Sequence, residues 1–327
     1  MKPRTFVTRL IPESGLDMLR KEADVEVWPD TLPPDYPVLV RKVKEIDALL
    51  CMLTDKIDGN LMDAAGSRMK VISQFAVGVD NIDTAAATER GIPVGNTPGV
   101  LTDTTADLAW ALLMAAARRL VESDGFVRAG KWKTWASIGF LGYDITGATL
   151  GIVGFGRIGQ AMARRAQGFD MRILYHSRRR HPEAERKFHA QYVDLDTLLH
   201  ESDFVSLHTN LSEETRHLMN DARFKKMKPW SILINTARGP IVDHQALYRV
   251  LSSGAIAYAA LDVTEPEPIQ PDNALLTLDN IIICPHIGSA SHKTRSKMST
   301  MAAENLIAGL KGQRLPNCAN PEVYSIS

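Results

Sequence analysis

Short apolar runs without helical periodicity alternate with amphipathic stretches along almost the whole chain. Runs at 5–10, 25–29, 48–53, 71–76 and 93–96 predict the strands of a first unit. Runs at 149–154, 172–177, 204–209, 231–236, 258–263 and 281–284 predict those of a second. Apolar runs of this length suit strands covered on both faces by crossover helices, which is how parallel sheets are built. The fold class expected is α/β, with two doubly wound parallel-sheet domains.

Between the two series the pattern changes. Residues 102–120 predict a long helix, with Thr104 and Asp107 at capping-box-like spacing and Arg118 and Arg119 where the C-terminal dipole favours cations. Its middle, LAWALLMAAA, is apolar on every face and predicts burial all round, between domains or under a partner subunit. A last helical stretch at about 290–310 follows the final strand of the second unit and can return to the first. The expected division is 1–100 plus 290–327 for a discontinuous substrate domain, and 101–289 for a dinucleotide-binding domain.

Composition narrows the function classes. A chain of 327 residues, 45% hydrophobic and 23% charged, has the profile of an ordinary globular protein long enough for two cores. Its 38 basic residues balance 38 acidic ones, so the footprint of a dedicated nucleic-acid or anionic-membrane binder is missing. Cys51, Cys284 and Cys318 have no framework or metal-ligand spacing and read as free thiols of a reducing compartment. The charged N-terminus leaves no room for a signal-peptide core, and the longest apolar run, 108–117, is far short of the ~20 residues a membrane span needs. A cytoplasmic protein is the expectation.

The sequence GFGRIG follows the strand pattern LGIVG directly and opens a helix pattern. In that setting Gly154 makes the tight turn, Gly156 lets a pyrophosphate reach the backbone, and Gly159 allows close helix–sheet packing. Amides at the helix N-terminus, beside Arg157 and Ile158, then face the phosphates. The second domain is thus expected to be of the Rossmann type. NAD-specific units usually end the next strand on Asp or Glu, which holds the ribose 2′-hydroxyl. Here Ser177 stands there, followed by Arg178, Arg179 and Arg180. A hydroxyl and guanidinium groups bind a 2′-phosphate that a carboxylate would repel. NADP(H) is favoured on this ground, with NAD(H) and a merely solvated basic loop as the alternative.

Three ionisable residues follow strand ends in the second series: Arg238 in NTARG, Glu267 in LDVTEPEP and His286 in PHIGSA. Reduction of a 2-keto acid needs one of each type. A guanidinium grips the carboxylate and polarises the carbonyl, an imidazolium delivers a proton, and a carboxylate orients the imidazole. Singly, each has a plain structural reading as a helix cap, a solvated loop residue or a core histidine. The other histidines, among them His208, His217 and His244, keep that plain reading.

The order GFGRIG, NTARG, LDVTEPEP and PHIGSA resembles the D-isomer-specific 2-hydroxyacid dehydrogenase family, and most closely its glyoxylate/hydroxypyruvate reductase branch. The resemblance extends over nearly the whole chain, including VGVDNID (77–83) and HIGSASHKTR (286–295). It implies that Arg238 binds substrate, that Glu267 partners the histidine, and that His286 does the acid/base work. It implies further that Val77 and Gly78 offer amides to the substrate carboxylate and that Ser289 lies in the pocket. Gly156, Arg157 and Ile158 match its pyrophosphate turn, and Asn210, Thr236 and Asp262 match positions lining the nicotinamide half. A homodimer about the 102–120 helix is also implied. Trp132 and Trp135 either anchor packing or, as the resemblance implies for Trp135, reach a partner subunit's pocket. Two other readings stay open: an NAD-dependent dehydrogenase of another D-2-hydroxy acid, and a dinucleotide-sensing co-repressor-like protein.

Overall fold

A computed structural model describes residues 2–325. The chain divides into two compact units, Met1–Leu101 with Ala290–Ser327, and Thr102–Ser289. The first unit begins with β1 (Arg4–Val7), α1 (Glu13–Glu22), β2 (Asp24–Val27), α2 (Tyr36–Val43), β3 (Ala48–Cys51), α3 (Gly59–Ala65), β4 (Val71–Gln74), α4 (Thr84–Glu89) and β5 (Val94–Gly95). The second opens with α5 (Thr102–Ala117) and α6 (Leu120–Arg128), then β6 (Thr149–Val153), α7 (Arg157–Gln167), β7 (Arg172–His176), α8 (Pro182–Phe188) and β8 (Ala190–Tyr192). It continues through α9 (Leu195–Glu201), β9 (Phe204–Leu207), α10 (Asp221–Phe224), β10 (Ile232–Asn235), α11 (His244–Ser252), β11 (Tyr258–Leu261) and β12 (Ile281–Ile283). Helix α12 (His292–Leu310) belongs to the first unit again.

Both sheets are parallel throughout. Unit one has strand order β2-β1-β3-β4-β5, and unit two has β12-β11-β10-β9-β6-β7-β8. In the second sheet the order reverses between β6 and β9, which opens a crevice beyond the carboxyl ends of those strands. Each sheet is covered on both faces. Leu39, Leu61 and Ala87 cover one face of the first sheet, and Leu16, Ala303 and Leu306 cover the other. Helices α1 and α12 touch so closely that a Cβ at Gly15 would lie 2.2 Å from Ser299 Oγ. In the second unit α5 and α7 cover one face, and α9 and α11 the other.

The sequence pattern overshoots at strand ends. The predicted strand 71–76 stops at Gln74, 231–236 at Asn235 and 258–263 at Leu261. The cause is that residues past the last ladder bond, such as Ala76, Thr236 and Val263, are still buried. Strand β8 carries no such signal, because only three residues with a central Gln form it.

Helix α5 also differs from expectation. It ends at Ala117, and Arg119, with φ of 49°, breaks it before α6. Thr104 lies inside the helix, so the capping-box spacing is not used as a cap; Asp107 instead pairs with Arg165 of α7, as Asp103 does with Arg164. Burial is not all round in this chain: Ala109, Leu113 and Ala116 face the core, but Asp107, Ala111, Met114 and Arg118 form an exposed stripe. That stripe continues into α6, which buries nothing, and into exposed Trp132, Trp135, Ile138 and Leu141. The tryptophans therefore do not anchor packing within the chain. Among the described residues no helix is long and apolar enough to cross a membrane.

Candidate active site

Apart from Trp135, which precedes β6, the sequence-derived residues of the second unit lie beyond the carboxyl ends of its strands, along one edge of the sheet. Gly154 follows β6, Ser177 follows β7, Asn210 lies beyond β9, Thr236 and Arg238 follow β10, Asp262 follows β11, and His286 lies beyond β12.

The three glycines of the turn stand in three different settings. Gly154 has φ of 91°, and a Cβ there would sit 2.6 Å from the backbone of His208. A Cβ on Gly159 would come within 2.2 Å of the Gly154 carbonyl oxygen. At Gly156 a Cβ would meet nothing within 4 Å, so protein packing does not require glycine there. The missing side chain leaves open space in front of α7, whose N-terminus has no side-chain cap. An exposed Arg157 and a half-buried Ile158 open that helix. Bare amides, a positive helix end and room at Gly156 fit a dinucleotide pyrophosphate. Below the turn, Phe155 stacks on Tyr175 with ring centroids 4.0 Å apart.

At the end of β7 the four basic-loop residues part company. Ser177 Oγ donates to the Arg179 carbonyl, which folds the loop back. Arg180 pairs with Glu185 at 2.7 Å and lies over the Tyr192 ring. Hydrogen bonds from Arg180 and from the Tyr175 hydroxyl hold the Glu185 carboxyl down at about 2. Arg180 is thus engaged by Glu185, whereas the expectation grouped all three arginines at the phosphate. Arg178 and Arg179 are exposed.

Arg238 sits on a turn built by Asn235. The Asn235 side chain accepts from the Ala237 amide at 3.0 Å and donates to the Arg238 carbonyl at 2.9 Å. Gly239 then passes under the next loop, where a Cβ would lie 1.9 Å from the Thr264 carbonyl oxygen. That next loop carries Glu267, whose Oε1 is 2.5 Å from His286 Nδ1. Both side chains are partly exposed, and the pairing through Nδ1 leaves Nε2 as the nitrogen available for proton exchange.

His286 has φ of 54°, an uncommon conformation for a residue with a Cβ. Asp262 holds it there. Its carbonyl accepts from His286 N at 3.0 Å, and its carboxylate accepts from Ile287 N at 2.7 Å and Gly288 N at 2.8 Å. Burial pushes the Asp262 carboxyl up, and these amides oppose the shift. Ser289 follows, half-buried. Thr236 is buried with no partner for its hydroxyl among the described residues.

Val77 and Gly78 belong to the first unit, on the loop after β4. Sequence reasoning missed what holds that loop. Gln74 Nε2 donates to the Gly78 carbonyl at 3.3 Å and to Asn81 Oδ1 at 2.6 Å, and Asn96 Nδ2 donates to the Val77 carbonyl at 2.8 Å. Polar residues at the ends of β4 and β5 were the only signal available.

Residues 110–288 match the family model described as D-isomer specific 2-hydroxyacid dehydrogenase, NAD binding domain. The chain is 54% identical over 327 residues to a glyoxylate reductase of Korarchaeum cryptofilum, covering 100% of this chain and 98% of the relative. The TT0316 protein from Thermus thermophilus superposes with a TM-score of 0.92 at 47% identity, covering 97% of this chain and 99% of that one. An NADPH-dependent glyoxylate/hydroxypyruvate reductase from Sinorhizobium meliloti, solved with NADP and malonate, gives a TM-score of 0.87 at 30% identity over 98% of both chains.

Proposed function

Because this chain belongs to the D-isomer-specific 2-hydroxyacid dehydrogenase family, a family of oxidoreductases that use a nicotinamide dinucleotide, we propose that it reduces glyoxylate or hydroxypyruvate with NADPH. The observation that carries the reading is the Glu267–His286 pair at 2.5 Å, two strands along the same sheet edge from Arg238. In this reading Arg238 grips the carboxylate and polarises the carbonyl. The reduced nicotinamide, when bound, supplies the hydride. As negative charge develops on the carbonyl oxygen, His286 gives up the proton on Nε2, and Glu267 stabilises the imidazolium through Nδ1. Asn210, Thr236 and Asp262 line the nicotinamide half, and Ser289 the substrate end.

NADPH preference rests on Ser177, Arg178 and Arg179, where an acidic residue would favour NADH. The relative from Sinorhizobium meliloti is described as NADPH-dependent, in keeping with this. A homodimer is proposed from the exposed apolar residues that run from Met114 through α6 to Trp135, Ile138 and Leu141, which exceed the isolated exposed residues normal for a monomer.

A panel of keto acids assayed with NADPH and NADH in parallel tests the activity. Turnover of glyoxylate or hydroxypyruvate with NADPH is expected; no turnover with any keto acid despite dinucleotide binding would favour a sensor instead. His286→Ala is expected to lower kcat by about 10²–10⁴-fold with little change in dinucleotide affinity. Arg238→Ala should raise KM for keto acid and lower kcat together. Sedimentation velocity should give a dimer, and a monomer at micromolar concentration would remove the proposed assembly.

A further inference from the structure

Two residues before Glu267 lies Glu265, a carboxylate without a task in the reaction proposed above. It is held through both oxygens. Arg216 Nη2 pairs with Oε1, and His217 Nε2 lies 3.0 Å from Oε2. The Glu265 amide donates to His244 Nδ1 at 3.4 Å. Burial pushes the Glu265 carboxyl up, but the hydrogen bonds from His217 and Arg216 outweigh it and leave the group below the usual carboxylate range. His244, by contrast, is driven down by burial, which suits its role as a neutral acceptor.

His217 is fixed by more than one bond. Its amide donates to the Pro240 carbonyl at 2.7 Å, and its φ of 49° is a strained choice for a residue with a Cβ. Such a conformation persists where the surroundings over-determine it. Pro240 lies two residues after Arg238, and the Thr264 carbonyl presses on Gly239. Three segments therefore converge on Glu265: the 216–217 stretch, the Arg238 turn, and the loop that ends on Glu267. The titratable and charged groups around it are Arg216, His217 and His244, with Asp243 acting on His244.

We propose that Arg216, His217 and Glu265 form a positioning clamp that sets Glu267 against His286 and so governs the protonation state in which His286 turns over. The proposal rests on the acid role assigned to His286 above. None of the three touches the reacting atoms in this scheme; they act through the 265–267 backbone. A carboxylate held in line with imidazole Nδ1 favours the protonated ring, and a carboxylate free to swing away does so less.

The test is keto-acid reduction against pH for the wild type, Glu265→Gln, Arg216→Leu, Arg216→Lys, Glu267→Gln, and Glu265→Gln with Glu267→Gln together. Glu265→Gln and Arg216→Leu should lower kcat about tenfold, the scale of a small misplacement transmitted from outside the chemistry. They should also move the alkaline limb of the profile to lower pH, with dinucleotide affinity unchanged, and Arg216→Lys should restore both. In the Glu267→Gln background, Glu265→Gln should change kcat less than about twofold, because the route through Glu267 is already cut. Equal losses in both backgrounds, or an alkaline limb that stays in place, overturn the clamp. An unmoved profile in Glu267→Gln itself overturns the Glu267–His286 reading, and the clamp with it. Should Glu265→Gln not fold, the Arg216→Leu and Arg216→Lys pair decides the question from the other side of the ion pair.

Discussion

The carboxylate of Asp262 accepts the Gly288 amide at 2.8 Å across the turn that carries His286. With the Ile287 amide on the other oxygen, a buried side chain holds a histidine in a left-handed conformation. Asp262→Ala leaves both amides without partners, which should lower stability by roughly 2–6 kcal/mol, at about 1–3 kcal/mol for each orphaned group. The histidine turn should relax at the same time, so kcat should fall even at temperatures where the variant is fully folded. Chemical denaturation and steady-state kinetics measure the two effects; a wild-type midpoint would show that the amides find other partners.

The basic loop divides by its existing bonds. Arg178→Ser and Arg179→Ser should weaken NADPH binding by about tenfold, the scale of one charge-assisted hydrogen bond, and leave NADH nearly unchanged. Arg180→Ser should weaken NADPH less, since that guanidinium is already held by Glu185. Titration of each variant with both cofactors provides the check. A uniform loss across the three arginines would mean that Arg180 leaves Glu185 on binding.

The glycines of the turn should separate stability from binding. Gly154→Ala forces a side chain into a φ of 91° against the His208 backbone and should destabilise the protein by about 1–3 kcal/mol or more. The Cβ added by Gly156→Val has nothing within 4 Å, so the variant's melting temperature should stay close to wild type while dinucleotide affinity collapses. A Gly156→Val variant that still binds NADPH normally would place the pyrophosphate elsewhere.

His208 links stability to pH. Burial lowers its ring to about 3, while an unfolded histidine titrates near 6.5. The folded state thus binds fewer protons than the unfolded chain between these values, and stability falls as pH drops below about 6.5 and continues to fall toward 3. One such group gives a slope of up to about 1.4 kcal/mol per pH unit. His208→Gln should flatten the acid side of the stability curve; an unchanged slope would assign acid sensitivity to other groups.

Most of the architecture was legible because parallel strands carry continuous apolar runs, and the glycine turn because two of its glycines answer close backbone contacts while the third leaves open space. Strand ends were legible only approximately. Val263 and Thr236 continue the apolar or buried pattern past the last ladder bond, since they sit in turns packed beneath the site. The pairing of Glu267 with His286 was legible because a carboxylate and an imidazole are complementary, and the two side chains lie 2.5 Å apart. Asp262, Asn235, Gln74 and Asn96 were not recognised as supports, because their task is to accept or donate to backbone groups whose positions only the fold defines. Arg216, His217 and Glu265 are a stronger instance: three ordinary polar residues whose arrangement depends on two loops meeting. The Arg180–Glu185 pair was hidden for the same reason, since Glu185 lies on the next helix.

The return of α12 to the first unit bears on how the chain is made. Leu306 and Ala303 cover the same core as Leu16 and Val71, and Gly309 lies against Val71 so closely that a Cβ there would be 2.5 Å from it. A chain emerging from the ribosome therefore exposes one face of its first sheet until α12 has been synthesised, whereas the 102–289 unit is complete earlier. Released chains truncated near residue 290 should acquire protease resistance in the second unit alone, so the unit begun first is completed after the second.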